Sequence, residues 1–296
     1  MNIATCNYHD QVHLAVVQDN TVFLPATSNE WLADINSMLE LIDAGPKSLQ
    51  VLRNIVEQTD ADQWIPLSNI EVMSPIPRPR QNIMCLGWNY IEHVEETAGN
   101  ALEAPKLPKY PIVFTKAASS MNGPFSDIPV DLEVSDKMDW EVELAVIIGK
   151  AGQGIAKEKA LDHVFGYSII NDVSARDIQK RHKQFFVGKS FTGACPMGPW
   201  IVTADKIPDP QVLDLKSRVN NVLKQDSNTK YQIFDVASVI ETLSQGMMLE
   251  AGDIIATGTP SGVGYVRNPP EYLMPGDIVE CEIEGIGKIS NPIVTK

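Results

Sequence analysis

Two carboxylates separated by one residue, Glu141 and Glu143, lie directly before an apolar run. In a β-strand such residues face the same way, so their charges repel each other unless a cation lies between them. Asp172 ends a second apolar run, and Asp139 would share the face of the two glutamates nearer its edge. Three carboxylates with no His or Cys nearby predict a site for Mg²⁺ or Mn²⁺ rather than zinc. The alternative is a strand edge whose acids are merely solvated.

Basic and amide side chains follow Asp172. The pattern predicts a helix over residues 174–183, on which Arg176 and Gln179 are three residues apart and share a face. If Asp172 holds the ion, both side chains reach whatever the ion binds and stabilise negative charge on a substrate oxygen. Lys189, beside an aromatic-rich segment, is a further candidate oxyanion donor. The alternatives are a solvated basic helix face and an ordinary surface lysine.

His93 is one of five histidines, in a segment predicted to be helical from Asn89 onward. Glu96 lies three residues further along the same face. A carboxylate there orients the imidazole and supports its protonated form, as a general base requires. Residues 97–111 are rich in glycine and proline, and we interpret them as a lid that closes over the site. The alternative is an exposed His–Glu pair, which contributes little.

A glycine-rich segment spans residues 256–264 and includes Thr259. It lacks the Gly-Lys-Ser/Thr ending of a Walker loop, which argues against nucleotide binding. Its backbone amides and the Thr259 hydroxyl are candidates for binding a substrate carboxylate. A tight turn at the end of a strand is the alternative.

The elements that must position these residues fall into two regions. Residues 1–75 are predicted to form a small α/β accessory domain, with a hairpin turn at Asp19–Asn20 and helices after it. Alternate prolines at residues 75–79 mark the junction. Residues 76–296 are predicted to form the catalytic domain. No regular βαβ alternation occurs there, so the fold class expected is α+β and mostly β. Its clearest strands are predicted at residues 143–148, 166–170, 201–203, 253–256 and 278–283, and its clearest helices at residues 174–183 and 236–247.

The composition of the chain argues against several classes of function. With 24 Lys and Arg against 38 Asp and Glu, the formal charge of −14 repels phosphate backbones, so no nucleic-acid partner is expected. No apolar run approaches the roughly 20 residues of a membrane span. The first residues lack the features of a secretory signal. The four cysteines form no CxxC pair and are expected to be buried free thiols. Together these features predict a cytoplasmic protein with no membrane partner.

Five short motifs in the chain resemble those of a known protein family. They are Gly-x-Asn-Tyr-x-x-His-x-x-Glu at residues 87–96, Glu-x-Glu at 141–143, Asn-Asp-x-x-Ala-Arg-Asp-x-Gln at 171–179, Gly-Lys-Ser-Phe at 188–191 and Gly-Thr-Pro-Ser-Gly-Val-Gly at 258–264. In these motifs and their order, the chain from about residue 76 onward resembles the fumarylacetoacetate hydrolase family. Residues 163–199 are especially similar to bacterial members that decarboxylate oxaloacetate. The resemblance implies a mixed β-roll assembled as a homodimer.

The resemblance also implies a role for each candidate residue. The implied roles are metal binding by Glu141, Glu143 and Asp172, base catalysis by His93 with Glu96, oxyanion stabilisation by Lys189, Arg176 and Gln179, and carboxylate contact by Thr259.

The implied substrate is a small 2-oxo acid, and the implied chemistry is stabilisation of an enolate with Mg²⁺ or Mn²⁺ as cofactor. If water attacks a distal carbonyl, the enzyme is an acylpyruvate hydrolase. If a β-carboxylate leaves as CO₂, it is an oxaloacetate decarboxylase. These two are the predicted functions. The alternatives are a tautomerase or isomerase, in which only protons move, and a non-catalytic metal-dependent binding protein.

Overall fold

A computed structural model describes residues 1–25, 35–98 and 106–296. The strands are β1 (Asn2–Tyr8), β2 (Gln11–Gln18), β3 (Thr21–Phe23), β4 (Ile65–Pro66), β5 (Glu71–Met73), β6 (Ile83–Gly87), β7 (Ile112–Lys116), β8 (Met121–Asn122), β9 (Ile128–Val130), β10 (Met138–Asp139), β11 (Val142–Ile148), β12 (Val164–Asn171), β13 (Ser174–Ala175), β14 (Cys195–Thr203), β15 (Asp214–Val219), β16 (Val222–Asn228), β17 (Ile254–Ala256), β18 (Ile278–Ile283) and β19 (Gly287–Thr295). The helices are α1 (Met38–Asp43), α2 (Pro46–Gln58), α3 (Ile91–Ala98), α4 (Arg176–Arg181), α5 (Phe186–Lys189) and α6 (Val236–Ser244).

A twelve-stranded mixed sheet forms the body of the fold. Its main path runs β4-β3-β2-β1-β14-β12-β11-β17-β6-β7, with β5 paired to β1 and β8 paired to β14. A second sheet of five strands, β16-β15-β18-β19-β9, packs beside it, and β10 pairs with β13. The mostly β fold class expected from the sequence is therefore confirmed.

Strand β11 shows why the large sheet is buried on both faces. Leu144, Val146 and Ile148 contribute to the core that includes α6 and the five-stranded sheet. The intervening residues Ala145 and Ile147 contribute to a second core, which includes α1 and α2. Side chains alternate between the two faces of a strand, and here both faces are buried. Every position of β11 from 142 to 148 is therefore apolar except Glu143. A carboxylate in such a strand therefore needs a specific partner.

The predicted strands of the second region are all present, and their bounds differ by up to six residues. The predicted helix at residues 174–183 is shorter than expected and begins at Arg176. Ser174 and Ala175 instead pair with Asp139 and Met138, and the Arg176 amide donates to the Lys137 carbonyl, so the chain stays extended up to that point. The helix predicted at residues 236–247 ends at Ser244.

The N-terminal hairpin is also present, and Asp19 adopts the left-handed φ of 52° at its turn. Strand β1 was not predicted. It pairs with β14 through Asn2 and Ile3, so the N-terminal strands continue the large sheet. The division into domains at residue 75 stays a prediction. Among the helices of the described ranges, none is long and apolar enough to cross a membrane.

Candidate active site

Three acids converge where the start of β11 lies beside the end of β12. The strands are antiparallel with Val142 opposite Asn171, so Glu141 precedes one strand at the point where Asp172 follows the other. The Asp172 amide donates to the Glu141 carbonyl at 2.9 Å, and Glu143 projects from the next position on the same face. One carboxylate oxygen from each of the three lies within 4.8 Å of the others. The convergence expected from the sequence is present, and the acids are buried rather than solvated.

The acid cluster fits a hard divalent cation. Glu143 accepts the Gly258 amide through Oε2 at 2.8 Å, while its Oε1 is buried with no hydrogen-bond partner among the described residues. Burial, followed by the charges of Asp172 and Glu141, raises the pKa of Glu143 well above its usual value. A cation among the three oxygens would remove both penalties. An all-oxygen donor set suits Mg²⁺ or Mn²⁺.

Two buried lysines flank the acids. Lys189 Nζ lies 2.6 Å from Glu141 Oε2 and 2.7 Å from Asp172 Oδ2. Lys116 Nζ lies 2.7 Å from Asp172 Oδ1 and donates to the Val173 carbonyl at 3.0 Å. The surface alternative for Lys189 is therefore wrong, because only 2% of that residue is exposed. Lys116 was missed by the sequence analysis, and a lysine ending a short apolar strand gives no signal by itself.

Arg176 joins the cluster from the first turn of α4. Its Nε donates to Asp139 Oδ2 at 2.8 Å, and its Nη1 lies 2.7 Å from Glu141 Oε1 and 3.2 Å from Gln179 Oε1. Its Nη2 is buried and has no hydrogen-bond partner among the described residues. The solvated-face alternative is therefore wrong for Arg176, which is 4% exposed. The unpartnered Nη2 can donate to a bound anion.

Asp139 is not one of the three acids whose oxygens converge. Its Oδ1 accepts the amides of Trp140 and Gly264, and its Oδ2 accepts that of Tyr265 as well as Arg176 Nε. Each carboxylate oxygen of Asp139 thus accepts two hydrogen bonds. Asp139 therefore fixes Arg176 relative to the segment around Gly264.

His93 and Glu96 form the expected pair on α3. His93 Nδ1 lies 2.6 Å from Glu96 Oε1, and Glu96 Oε2 accepts the Gly262 amide at 2.8 Å. His93 is only 5% exposed, so this is not a solvated surface pair. With Nδ1 donating to the carboxylate, Nε2 keeps the lone pair that a base needs. The predicted lid falls partly outside the described residues, at 99–105.

Thr259 is placed as expected, but its hydroxyl is already engaged. Thr259 Oγ1 donates to the Val142 carbonyl at 3.0 Å and accepts from Gln225 Nε2 at 2.7 Å. A hydroxyl has one hydrogen to donate, so in this arrangement Thr259 has none left for a substrate carboxylate. Gln225, buried on β16, was missed by the sequence analysis because nothing in its local pattern marks it.

Part of this group, including His93, Glu141, Arg176 and Lys189, lines one cavity of about 310 Å³. The volume admits a small organic acid. The lining residues are Leu86, Gly87, Trp88, His93, Phe114, Glu141, Arg176, Gln179, Lys180, Lys183, Phe185, Lys189, Thr259 and Tyr265.

The site therefore has the parts of an enzyme that acts on small anions: a buried acid cluster, a positioned imidazole and buried cations around one cavity. Residues 82–294 match the family described as fumarylacetoacetate (FAA) hydrolase, C-terminal. The chain belongs to the fumarylacetoacetate hydrolase family, and the relatives described below are named as enzymes.

Two relatives share an activity in their names. The chain is 45% identical over 263 residues to the oxaloacetate tautomerase YisK of Bacillus subtilis strain 168. The aligned region covers 87% of this chain and 86% of that protein. It is 44% identical over 260 residues to the mitochondrial oxaloacetate tautomerase fahd2 of Xenopus laevis, with coverage of 87% and 78%.

Solved structures show the same fold. The fumarylacetoacetate hydrolase EaFAH from psychrophilic Exiguobacterium antarcticum superposes with a TM-score of 0.82 at 38% identity, over the full length of both chains. The maleylpyruvate hydrolase from Sphingobium sp. SYK-6, in complex with manganese (II) ion and pyruvate, gives a TM-score of 0.78 at 29% identity, covering 100% of this chain and 99% of that one.

Proposed function

We propose that the protein is a divalent-metal-dependent oxaloacetate tautomerase. Such an enzyme interconverts the keto and enol forms by moving one proton between carbon 3 and the 2-oxygen. The observation that carries the proposal is that His93, paired with Glu96, lines the same cavity as Glu141 of the acid cluster, because enolisation needs a base and an electron sink together. The tautomerases YisK and fahd2, at 45% and 44% identity, support it.

Glu141, Glu143 and Asp172 would hold Mg²⁺ or Mn²⁺. The ion supplies Lewis acidity toward the carboxylate and 2-oxo oxygens of the substrate. The maleylpyruvate hydrolase structure, which contains manganese and pyruvate, supports this assignment, since pyruvate is itself a 2-oxo acid.

The chain's own residues account for the proton movement. His93 Nε2 takes a proton from carbon 3, the C–H pair becomes the C2=C3 bond, and the 2-oxygen receives the negative charge. The resulting imidazolium is stabilised by Glu96, which the Gly262 amide holds in place. Returning the same proton to the 2-oxygen gives the enol, so no proton is gained or lost. The unpartnered Nη2 of Arg176 favours the anionic intermediate.

Carbon–carbon cleavage is the second candidate, as an acylpyruvate-type hydrolase or an oxaloacetate decarboxylase. The maleylpyruvate hydrolase structure favours it, since that relative is named as a hydrolase and its structure contains pyruvate. The two candidates share an enolate and differ in which bond to carbon 3 breaks.

The test is an assay of the purified protein with Mg²⁺ or Mn²⁺, against a chelator control. The approach of oxaloacetate to keto–enol equilibrium is followed by the ultraviolet absorbance of the enol. Acceleration without pyruvate or CO₂ supports the tautomerase. Release of CO₂ from oxaloacetate supports the decarboxylase, and release of acetate from acetylpyruvate supports the hydrolase. Metal binding with none of these activities would leave the binding-protein alternative.

A further inference from the structure

The cavity is basic although the protein is strongly acidic. The chain has a formal charge of −14, yet Glu141 is the single carboxylate among the described residues that line the cavity. The positively charged lining residues are Arg176, Lys180, Lys183 and Lys189. Arg176 and Lys189 are bound to the buried acids, whereas Lys180 and Lys183 lie further out and are exposed. The outer part of the cavity therefore carries positive charge that the acid cluster does not use.

Neither outer lysine has an acidic partner within the described part of the chain. The neighbouring Arg181 pairs with Asp177 at 3.8 Å, which is the usual arrangement for a solvated helix. Lys180 instead places its Nζ 5.0 Å from the centre of the Tyr265 ring, and Lys183 makes no ion pair there. Two unpaired lysines at the rim of one cavity attract an anionic group to it.

Arg176 and Lys180 are close enough to engage both ends of a short diacid. Lys180 is four residues after Arg176, so it lies about 6 Å further along α4. Both cations contact the same ring, since the Arg176 guanidinium lies 4.3 Å from the centre of Tyr265. In a four-carbon diacid, three C–C bonds of about 1.5 Å separate the two carboxylate carbons by about 4 Å. An acid held at its 2-oxo end by Arg176 thus reaches Lys180 with its far end.

Lys183 lines the same cavity as Lys180. It follows the end of α4 and adopts a left-handed φ of 60°, which turns the chain back at this point. The apolar walls nearby are Phe114 and Phe185, whose ring centres are 5.4 Å apart and which offer no hydrogen bond to a carboxylate.

We propose that Lys180 and Lys183 bind the second carboxylate of a dicarboxylic 2-oxo acid and so determine specificity for diacids over monoacids. The inference rests on the proposed function, which places the 2-oxo carboxylate at the inner end. It goes further by assigning the distal subsite to two residues outside the acid cluster and the base pair.

The experiment compares oxaloacetate with its 4-methyl monoester, which has the same reacting carbons but no distal charge. The variant is Lys180→Met with Lys183→Gln, and the matched control is Arg181→Met, which removes a paired charge from the same helix outside the cavity. Equilibrium binding to the metal-loaded protein is measured by calorimetry beside kcat and KM. In the double variant, we expect the preference for diacid over monoester to fall about tenfold, mainly through Kd and KM. The control should keep the wild-type preference.

Ionic strength adds a second readout. Because the lysines are exposed, added salt should reduce the diacid preference of the wild type and leave that of the double variant nearly constant. An unchanged preference in the double variant, or equal losses for both ligands, would overturn the inference. If the wild type binds both ligands but turns over neither, the proposed function fails while the binding comparison still decides the subsite. If the wild type prefers neither ligand, the subsite is refuted directly.

Discussion

Two buried carboxylates, Glu143 and Asp139, should respond in opposite ways to loss of charge. Glu143 has an unpartnered Oε1 and two acidic neighbours, whereas Asp139 is saturated by three amides and Arg176. Glu143→Gln replaces a buried acid whose charged form is poorly compensated. In the metal-free protein it should leave the free energy of unfolding unchanged or raise it by about 1–3 kcal/mol. Asp139→Asn breaks a buried ion pair and should lower that free energy by about 3–5 kcal/mol.

The response to metal should separate the same two variants. Metal at about 100 times its Kd stabilises the wild type by about 2.7 kcal/mol, which raises Tm by about 4 °C in a chain of this size. Losing a ligand weakens binding by at least about 100-fold, so at the same metal concentration the shift for Glu143→Gln should fall below about 1 °C. Asp139→Asn should keep most of the shift from its lower starting Tm.

The assay is calorimetric unfolding in chelator and in Mg²⁺ or Mn²⁺, which needs no substrate. A full metal shift in Glu143→Gln would refute its role as a ligand. If Asp139→Asn loses the metal-induced Tm shift while Glu143→Gln keeps it, Asp139 rather than Glu143 binds the metal, and the assignment made from the geometry is refuted.

Three further predictions concern the base pair, the glycine segment and the thiols. His93→Gln should lower kcat by about 10²–10⁴-fold while leaving the metal-induced Tm shift intact, and an unchanged kcat would favour a binding protein. Gly262→Ala should lower the free energy of unfolding by more than about 2 kcal/mol in urea titration, because its Cβ would lie 2.1 Å from the Lys224 carbonyl oxygen at a φ of +102°. Gly246→Ala is the control, since a Cβ there meets nothing within 4 Å. Burial raises the pKa of Cys6 from 9.0 to about 11, so native protein at pH 8 should be alkylated at this thiol at least about 100-fold more slowly than protein in denaturant. Comparable rates would show that the thiol is accessible.

The parts of the site that the sequence predicted are those governed by local periodicity. Glu141 and Glu143 share a face because a strand alternates, and His93 and Glu96 meet because a helix repeats. Asp172 was found because it ends an apolar run, where a side chain leaves the sheet. In each case the residue's neighbours in sequence specify where its side chain points.

The parts that were missed depend on contacts between distant segments. Lys116 meets Asp172 only because the fold brings together segments far apart in the chain, and Gln225 meets Thr259 across 34 residues. The hydrogen bond from the Thr259 hydroxyl to the Val142 carbonyl was missed for the same reason. Strand β1 was also missed: its pairing with the neighbouring β2 is local, but its pairing with β14 joins segments nearly 200 residues apart. Periodicity carries no information about such pairings.

The junction of β1 with β14 has a consequence for truncated forms of the protein. A fragment restricted to the region matched by the family would leave one side of β14 without the backbone partners that Asn2 and Ile3 now supply. Exposed strand edges recruit strands from other molecules. Shortened versions should therefore self-associate into sheet-like aggregates even though all nine candidate site residues are retained.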